Sequence, residues 1–238
     1  MFARTDEGPV LLLGAAHVVD LATPLRRALE DRTLDGVAVE LDEERAAVLF
    51  SNGKPAGRAA GAPLFARLWG SLQRRLGAEI GGGAPGDEMK VAALVAKERN
   101  LPLFLIDDPI RSTLLNLVRT MPFKERVLLL TSAVVGLFVP SRVVEREMDR
   151  YSESPEAYTE ELRSASPTLA KVLLDDRNEH MAARLAELRR RGYGRIAAVV
   201  GDAHLAGLAT ALRSRGVPVE AISFRELRGP TGPSPRPA

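Results

Sequence analysis

The chain has 238 residues, 45% of them apolar, with 33 Lys and Arg against 31 Asp and Glu, a formal net charge of +2. That is enough apolar material for one sizeable core with an inserted subdomain, and too little charge to imply a nucleic-acid partner. Cysteine is absent, which excludes structural disulfides, thiolate metal sites and a cysteine nucleophile. The first residues do not read as a signal peptide, because Asp6 and Glu7 precede the first apolar run and Asp20 follows it. The longest apolar stretch, Val127–Val139, is interrupted by Thr131 and Ser132 and is too short to span a bilayer. The expectation is a cytoplasmic protein without a membrane span.

In chain order, Pro9–Leu13 is a predicted strand, followed by a helix with Leu21, Leu25 and Leu29 on one face and Pro24 in its first turn. Val37–Leu41 is a second strand, apolar on both faces until Glu40, as expected of a parallel sheet covered on both sides. Asp42 is placed to cap a helix over 43–50. Residues 51–63 read as a loop, 64–76 as a helix and 77–86 as a glycine-rich loop without phosphate-loop spacing. A helix over 87–99 and a third strand over 103–106 follow, with Asp108 expected to cap the helix that Pro109 begins. Residues 110–165 hold helical patterns and no strand. One long helix is expected within 166–191, stopped by Gly192, then strands over 196–200 and 217–222. The fold class is α/β: a mostly parallel central sheet flanked by helices, with an α-helical insertion forming a lid. The core spans 1–109 and 166–226, the insertion 110–165, and 227–238 is a disordered tail rich in Pro and Gly.

One pattern occurs twice. Gly14-Ala-Ala-His17 follows the first strand and Gly201-Asp-Ala-His204 the fourth, and Leu, Ala, Thr, Leu and Arg recur at the same later offsets. Gly14 and Gly201 are expected to turn the chain sharply off each strand and bring backbone near a ligand. Open parallel sheets bind ligands beyond the carboxyl ends of their strands. His17, Glu40, Asp107 and His204 all fall there. A strand-end carboxylate such as Glu40 needs a cation, a donor or a metal if it is buried. Arg177 lies on the apolar stripe of its helix, so it either snorkels outward or points a fixed charge at a carboxylate or oxyanion. Asn178 shares that side, and His180 is expected in solvent. Glu88 sits in the first turn of its helix, where the helix dipole alone favours it. Glu43-Glu44-Arg45 reads as an ordinary charged helix face. No Ser occupies a Gly-x-Ser-x-Gly elbow.

Six motifs in order, Gly14-Ala-Ala-His17, Val39-Glu-Leu-Asp42, Gly86-Asp-Glu-Met89, Leu105-Ile-Asp107, Asp176-Arg-Asn-Glu-His-Met181 and Gly201-Asp-Ala-His204, resemble the TraB/PrgY family over residues 10–224. That family groups with the Tiki proteases and the ChaN-like and erythromycin-esterase-like proteins. The resemblance implies a metal-dependent hydrolase of peptidase type acting on a peptide substrate. Manganese or cobalt is favoured and zinc allowed. His17, His204 and Glu40 are the implied ligands, metal-bound water the nucleophile, and Glu40 or Glu88 its base, with Arg177 steadying the oxyanion. Gly14, Gly201, Asp107 and Asn178 support the site. Other branches of the same group leave two alternatives, a protein that sequesters peptide or haem without chemistry and a metal-free hydrolase using His as base. A homo-oligomer is compatible with all three. The chain departs from the family pattern at Asp108 and Asn116, where relatives often carry Arg.

Overall fold

The computed structural model describes residues 7–15, 21–50, 87–136 and 155–229. Five strands, β1 (Val10–Ala15), β2 (Gly36–Val39), β3 (Leu103–Leu105), β4 (Ile196–Gly201) and β5 (Val219–Ile222), form one sheet in the order β3-β2-β4-β1-β5. Every pairing is parallel. The helices are α1 (Ala22–Glu30), α2 (Glu43–Phe50), α3 (Asp87–Glu98), α4 (Ile110–Thr120), α5 (Phe123–Gly136), α6 (Pro155–Ala165), the short α7 (Pro167–Ala170), α8 (Asp176–Arg190), α9 (Asp202–Arg213) and α10 (Phe224–Arg228).

Strand residues alternate between two cores, because successive side chains point to opposite faces. Leu11, Leu13, Val37, Val39, Ala197 and Val199 pack under α1 and α3, against Leu25, Leu29, Met89, Ala92 and Val95. Val10, Leu12, Ala38, Ala198 and Val200 pack under α8 and α9, against Met181, Leu185, Leu208 and Leu212. The strand order explains this split. From β1 to β2 to β3 the chain moves one way across the sheet, and from β3 to β4 it returns, ending at β5. Right-handed crossovers put the outward helices on one face and the returning helices on the other. β4 is thus inserted between β2 and β1, and its helix leaves on the face opposite theirs.

Several boundaries differ from expectation. β1 runs through Ala15, so Gly14 lies inside the strand, and Gly201 closes β4 with ordinary extended angles, φ −58 and ψ 138. Gly14 therefore does not turn the chain off its strand, whereas Gly201 stands at the turn from β4 into α9 without needing a positive φ. Among the described residues, left-handed glycines occur instead at Gly192, Gly216 and Gly229. The first is the expected helix stop, with Gly192 N–H on Arg189 O at 2.9 Å and Tyr193 N–H on Leu188 O at 3.2 Å. The long helix expected within 166–191 runs without a gap over 167–190, with a π-helical turn over Lys171–Asp175 between α7 and α8. Helix α10 was not expected; its start is a capping box between Ser223 and Glu226, a Ser-x-x-Glu signature that the sequence displays.

Over 110–165 the described residues are helical apart from short connections. Leu117 and Met121 of this stretch bury against Leu169 and Val172. Glu125 of α5 accepts bonds from the Ser166 hydroxyl at 2.6 Å and from the Thr168 N–H and hydroxyl at 3.1 and 2.8 Å. It places a carboxylate where the first amides of α7 need acceptors. The segments expected as loop, helix and glycine-rich loop over 51–86, and the tail beyond 229, lie outside the described residues. Among the described residues no helix is long and apolar enough to cross a membrane.

Candidate functional site

The carboxyl ends of β2, β3 and β4 converge on one guanidinium. Arg177 stands at the second position of α8, just past the π turn, with only 13% of its side chain exposed. It donates through Nε to Asp107 Oδ1 at 3.0 Å and through Nη2 to Asp107 Oδ2 at 2.5 Å and to Glu40 Oε1. Nη1 donates to Leu173 O at 3.3 Å, within the π turn, and faces His204 Nε2 at 3.1 Å. A guanidinium has five N–H donors. All five of these have protein acceptors. Arg177 therefore binds the site together and has no spare hydrogen for a developing oxyanion unless it releases one of these partners.

Glu40 follows β2 directly. Its second oxygen accepts the Gly201 N–H at 2.7 Å, so the last residue of β4 meets the carboxylate through backbone. A Cβ at position 201 would lie 3.4 Å from that oxygen and 3.8 Å from His204 Cδ2, which is ordinary contact. Burial alone would raise the Glu40 carboxyl, but His204, Arg177 and the Gly201 amide outweigh it and hold its pKa below the usual value. Asp107 behaves likewise: burial opposes ionisation, and the bonds and charges of Arg177 and Arg45 bring it down to about 2. The same two carboxylates overcome the burial of Arg177 and keep it protonated.

His204 is buried in the first turn of α9, with both ring nitrogens bonded into this network. Burial lowers its pKa, an effect that Arg177 reinforces and Glu40 only partly opposes, so the ring is neutral near pH 7. Its tautomer follows from its neighbours. Arg177 can only donate, so Nε2 must accept, and the proton sits on Nδ1. Asn178 supplies the matching acceptor, with Oδ1 2.8 Å from Nδ1. The bare Nε2 lies 3.4 Å from Glu40 Oε1.

Two neighbours were not read as part of the site. Arg45, assigned to a charged helix face, donates through Nε to Asp42 at 3.0 Å and through Nη2 to Asp107. Asp42 caps α2 as expected, accepting the Arg45 N–H at 2.7 Å, and its other oxygen accepts the Ile110 N–H at 2.8 Å. That last bond corrects the role given to Asp108. The amide at the start of α4 belongs to Asp42, while Asp108 Oδ1 meets His180 Nδ1 at 2.9 Å. His180 is thus half-buried in a pair and not freely solvated.

Of the other expected site residues, Glu88 is buried in the first turn of α3. His17 lies outside the described residues. Gly14 serves a purpose different from its counterpart. Its Cβ would overlap Asp202 Oδ1 and come within 3.2 Å of the Phe224 nitrogen, whose N–H that same Asp202 oxygen accepts at 3.1 Å. Register accounts for the difference: Ala15, not Gly14, pairs with Gly201. The two glycines consequently face opposite sides of the sheet.

The implied metal finds no complete ligand set here. Among the described residues no group of three His, Asp or Glu side chains is placed to hold one. The two expected donors that are described, Glu40 and His204, face one another, but Arg177 already occupies both.

A family model described as the TraB/PrgY/gumN family matches residues 2–221. An uncharacterized protein of Methanocaldococcus jannaschii is 30% identical over 223 residues, which is 90% of this chain and 55% of that protein. The chain therefore spans about half the length of that relative.

Proposed function

The chain belongs to the TraB/PrgY/gumN family, and on that premise we propose that it hydrolyses peptide bonds in the crevice between β2 and β4, with Glu40 and His204 as the proton-handling pair. The observation that carries this reading is the pairing of a neutral imidazole, its tautomer fixed, with an ionised carboxylate, both buried at the point where the sheet's winding reverses. Switch points of this kind leave a crevice outside the carboxyl ends of the strands. Catalytic groups gather where burial and specific partners perturb ionisation.

Each chain residue takes a definite part. Glu40 keeps lone pairs beyond those used by Arg177 and Gly201, and one of them accepts an attacking water. His204 Nε2 is the base: as Arg177 Nη1 gives up its bond to this nitrogen, the neutral ring's lone pair takes the proton of the water and then passes it to the leaving amine. Arg177 is a positioning residue. It fixes carboxylate and imidazole relative to one another and offsets the charge of Glu40 and Asp107. Asp107 holds Arg177 in turn, and Arg45 holds Asp107. Helices α4–α6 are assigned the role of lid, and Glu88 that of a reserve carboxylate. Peptide as the substrate class rests on the family resemblance.

A divalent ion, whether manganese, cobalt or zinc, needs His17 to join His204 and Glu40, and when bound it would lower the pKa of a coordinated water toward about 7. One assay separates these readings. The full chain is incubated with a library of short peptides, with chelator and then with each metal restored, and products are read by mass spectrometry. Cleavage that disappears in Glu40→Gln and His204→Ala supports the proposal, and dependence on added metal assigns the ion. Cleavage untouched by both substitutions overturns it. Peptide or haem binding by calorimetry without cleavage under any condition makes the chain a sequestering protein.

A further inference from the structure

Helix α9 carries a glycine in its interior, Gly207, where the backbone has no need of one. It is not among the left-handed glycines, and glycine is disfavoured relative to alanine inside a helix. The reason lies on the neighbouring helix. A Cβ at position 207 would overlap Asn178 Nδ2 and stand 3.2 Å from Asn178 Cγ. Asn178 is buried on α8, 5% exposed, and cannot swing into solvent to make room. The other end of the same amide, Oδ1, accepts the Nδ1 proton of His204 at 2.8 Å. His204 and Gly207 are one turn apart on α9, so both meet Asn178 from the same side. The imidazole takes one end of the amide, and the missing side chain admits the other.

We infer that Gly207 is a positioning residue: by giving the Asn178 amide its seat, it fixes the His204 tautomer that leaves Nε2 bare toward Glu40 and Arg177. The inference deepens the reading of His204 as the base, yet the tautomer can be measured without any substrate. A side chain at 207 displaces the amide and leaves the buried Nδ1–H without its acceptor, so the ring, held on one side only, turns off the Arg177 donor that keeps Nε2 unprotonated and the proton moves between the two ring nitrogens.

The test is nitrogen NMR of the full chain labelled in its histidines. His204 signals are those missing in His204→Gln. The wild type is expected to show a protonated Nδ1 and a bare Nε2. Asn178→Asp, which keeps an acceptor, retains that signature; Asn178→Ala loses it, and Gly207→Ala loses it in the same way. Stability supplies an independent readout if Gly207→Ala folds poorly. In the Asn178→Ala background the clash is gone, so Gly207→Ala becomes neutral or stabilising. An unchanged His204 signature in Gly207→Ala overturns the inference. So does an equal stability loss from that substitution in both backgrounds. Absence of peptide cleavage with the predicted NMR result would sink the hydrolase reading alone.

Discussion

Gly14→Ala and Gly201→Ala are the same chemical change at matching places in a repeated motif, and the structure predicts different outcomes. At position 14 the new methyl overlaps Asp202 Oδ1 and crowds the Phe224 backbone nitrogen at 3.2 Å. Asp202 is a buried residue at the start of α9, and the Phe224 nitrogen belongs to the start of α10, so neither yields easily. Overpacking of this kind costs about 1–3 kcal/mol. If Asp202 moves away, the buried Phe224 N–H loses its acceptor, which adds roughly 1–3 kcal/mol. The two routes are alternatives in part, and a combined loss of about 3 kcal/mol follows. For a domain of this size each kcal/mol lowers Tm by about 2–4 °C, so Gly14→Ala should fall by roughly 6–12 °C. At position 201 the nearest atom is Glu40 Oε2 at 3.4 Å, and the backbone angles suit any residue. Gly201→Ala should stay within about 1 kcal/mol of wild type, below the overpacking range. Urea and thermal unfolding of the two variants decide the matter. Equal losses would show that the glycines do equivalent work and that the register argument is wrong.

Two further perturbations probe the site itself. Arg177→Met leaves Glu40 and Asp107 as buried carboxylates without their shared cation, and should cost about 3–5 kcal/mol; Arg177→Lys, with three donors in place of five, should cost less, and a Met variant as stable as wild type in urea would refute the clamp. Asp107 has a folded pKa of about 2 against an ordinary 3.8, so its contribution is present above the unfolded value and is lost as pH falls through the folded one. The difference corresponds to about 2 kcal/mol. Unfolding measured across that window should show wild type losing about that much more stability than Asp107→Asn, and parallel curves would count against the assignment.

Much of this site was legible from local rules. Apolar runs without alternation announced strands buried on both faces, and a parallel sheet places their carboxyl ends together. That alone brought Glu40, Asp107 and His204 into one neighbourhood. Asp42 stood at a capping position, while an arginine on an apolar stripe left two readings, outward or toward a carboxylate, between which the fold decides for Glu40 and Asp107. The motifs themselves announced the family. What the sequence could not express was the order in which the strands lie. Periodicity records whether a residue is buried and says nothing of which neighbour buries it. The insertion of β4 between β2 and β1 reverses the winding and sends the helices after β1 and β4 to opposite faces. Two copies of one motif thereby acquire different partners: Glu40 and His204 for Gly201, Asp202 and Phe224 for Gly14. The same long-range packing recruits Arg45 to Asp107, gives the first amide of α4 to Asp42 in place of Asp108, and sets Gly207 against Asn178. Each of these joins residues distant in the chain whose local surroundings already had a sufficient explanation, and only the folded chain supplies the competing partner.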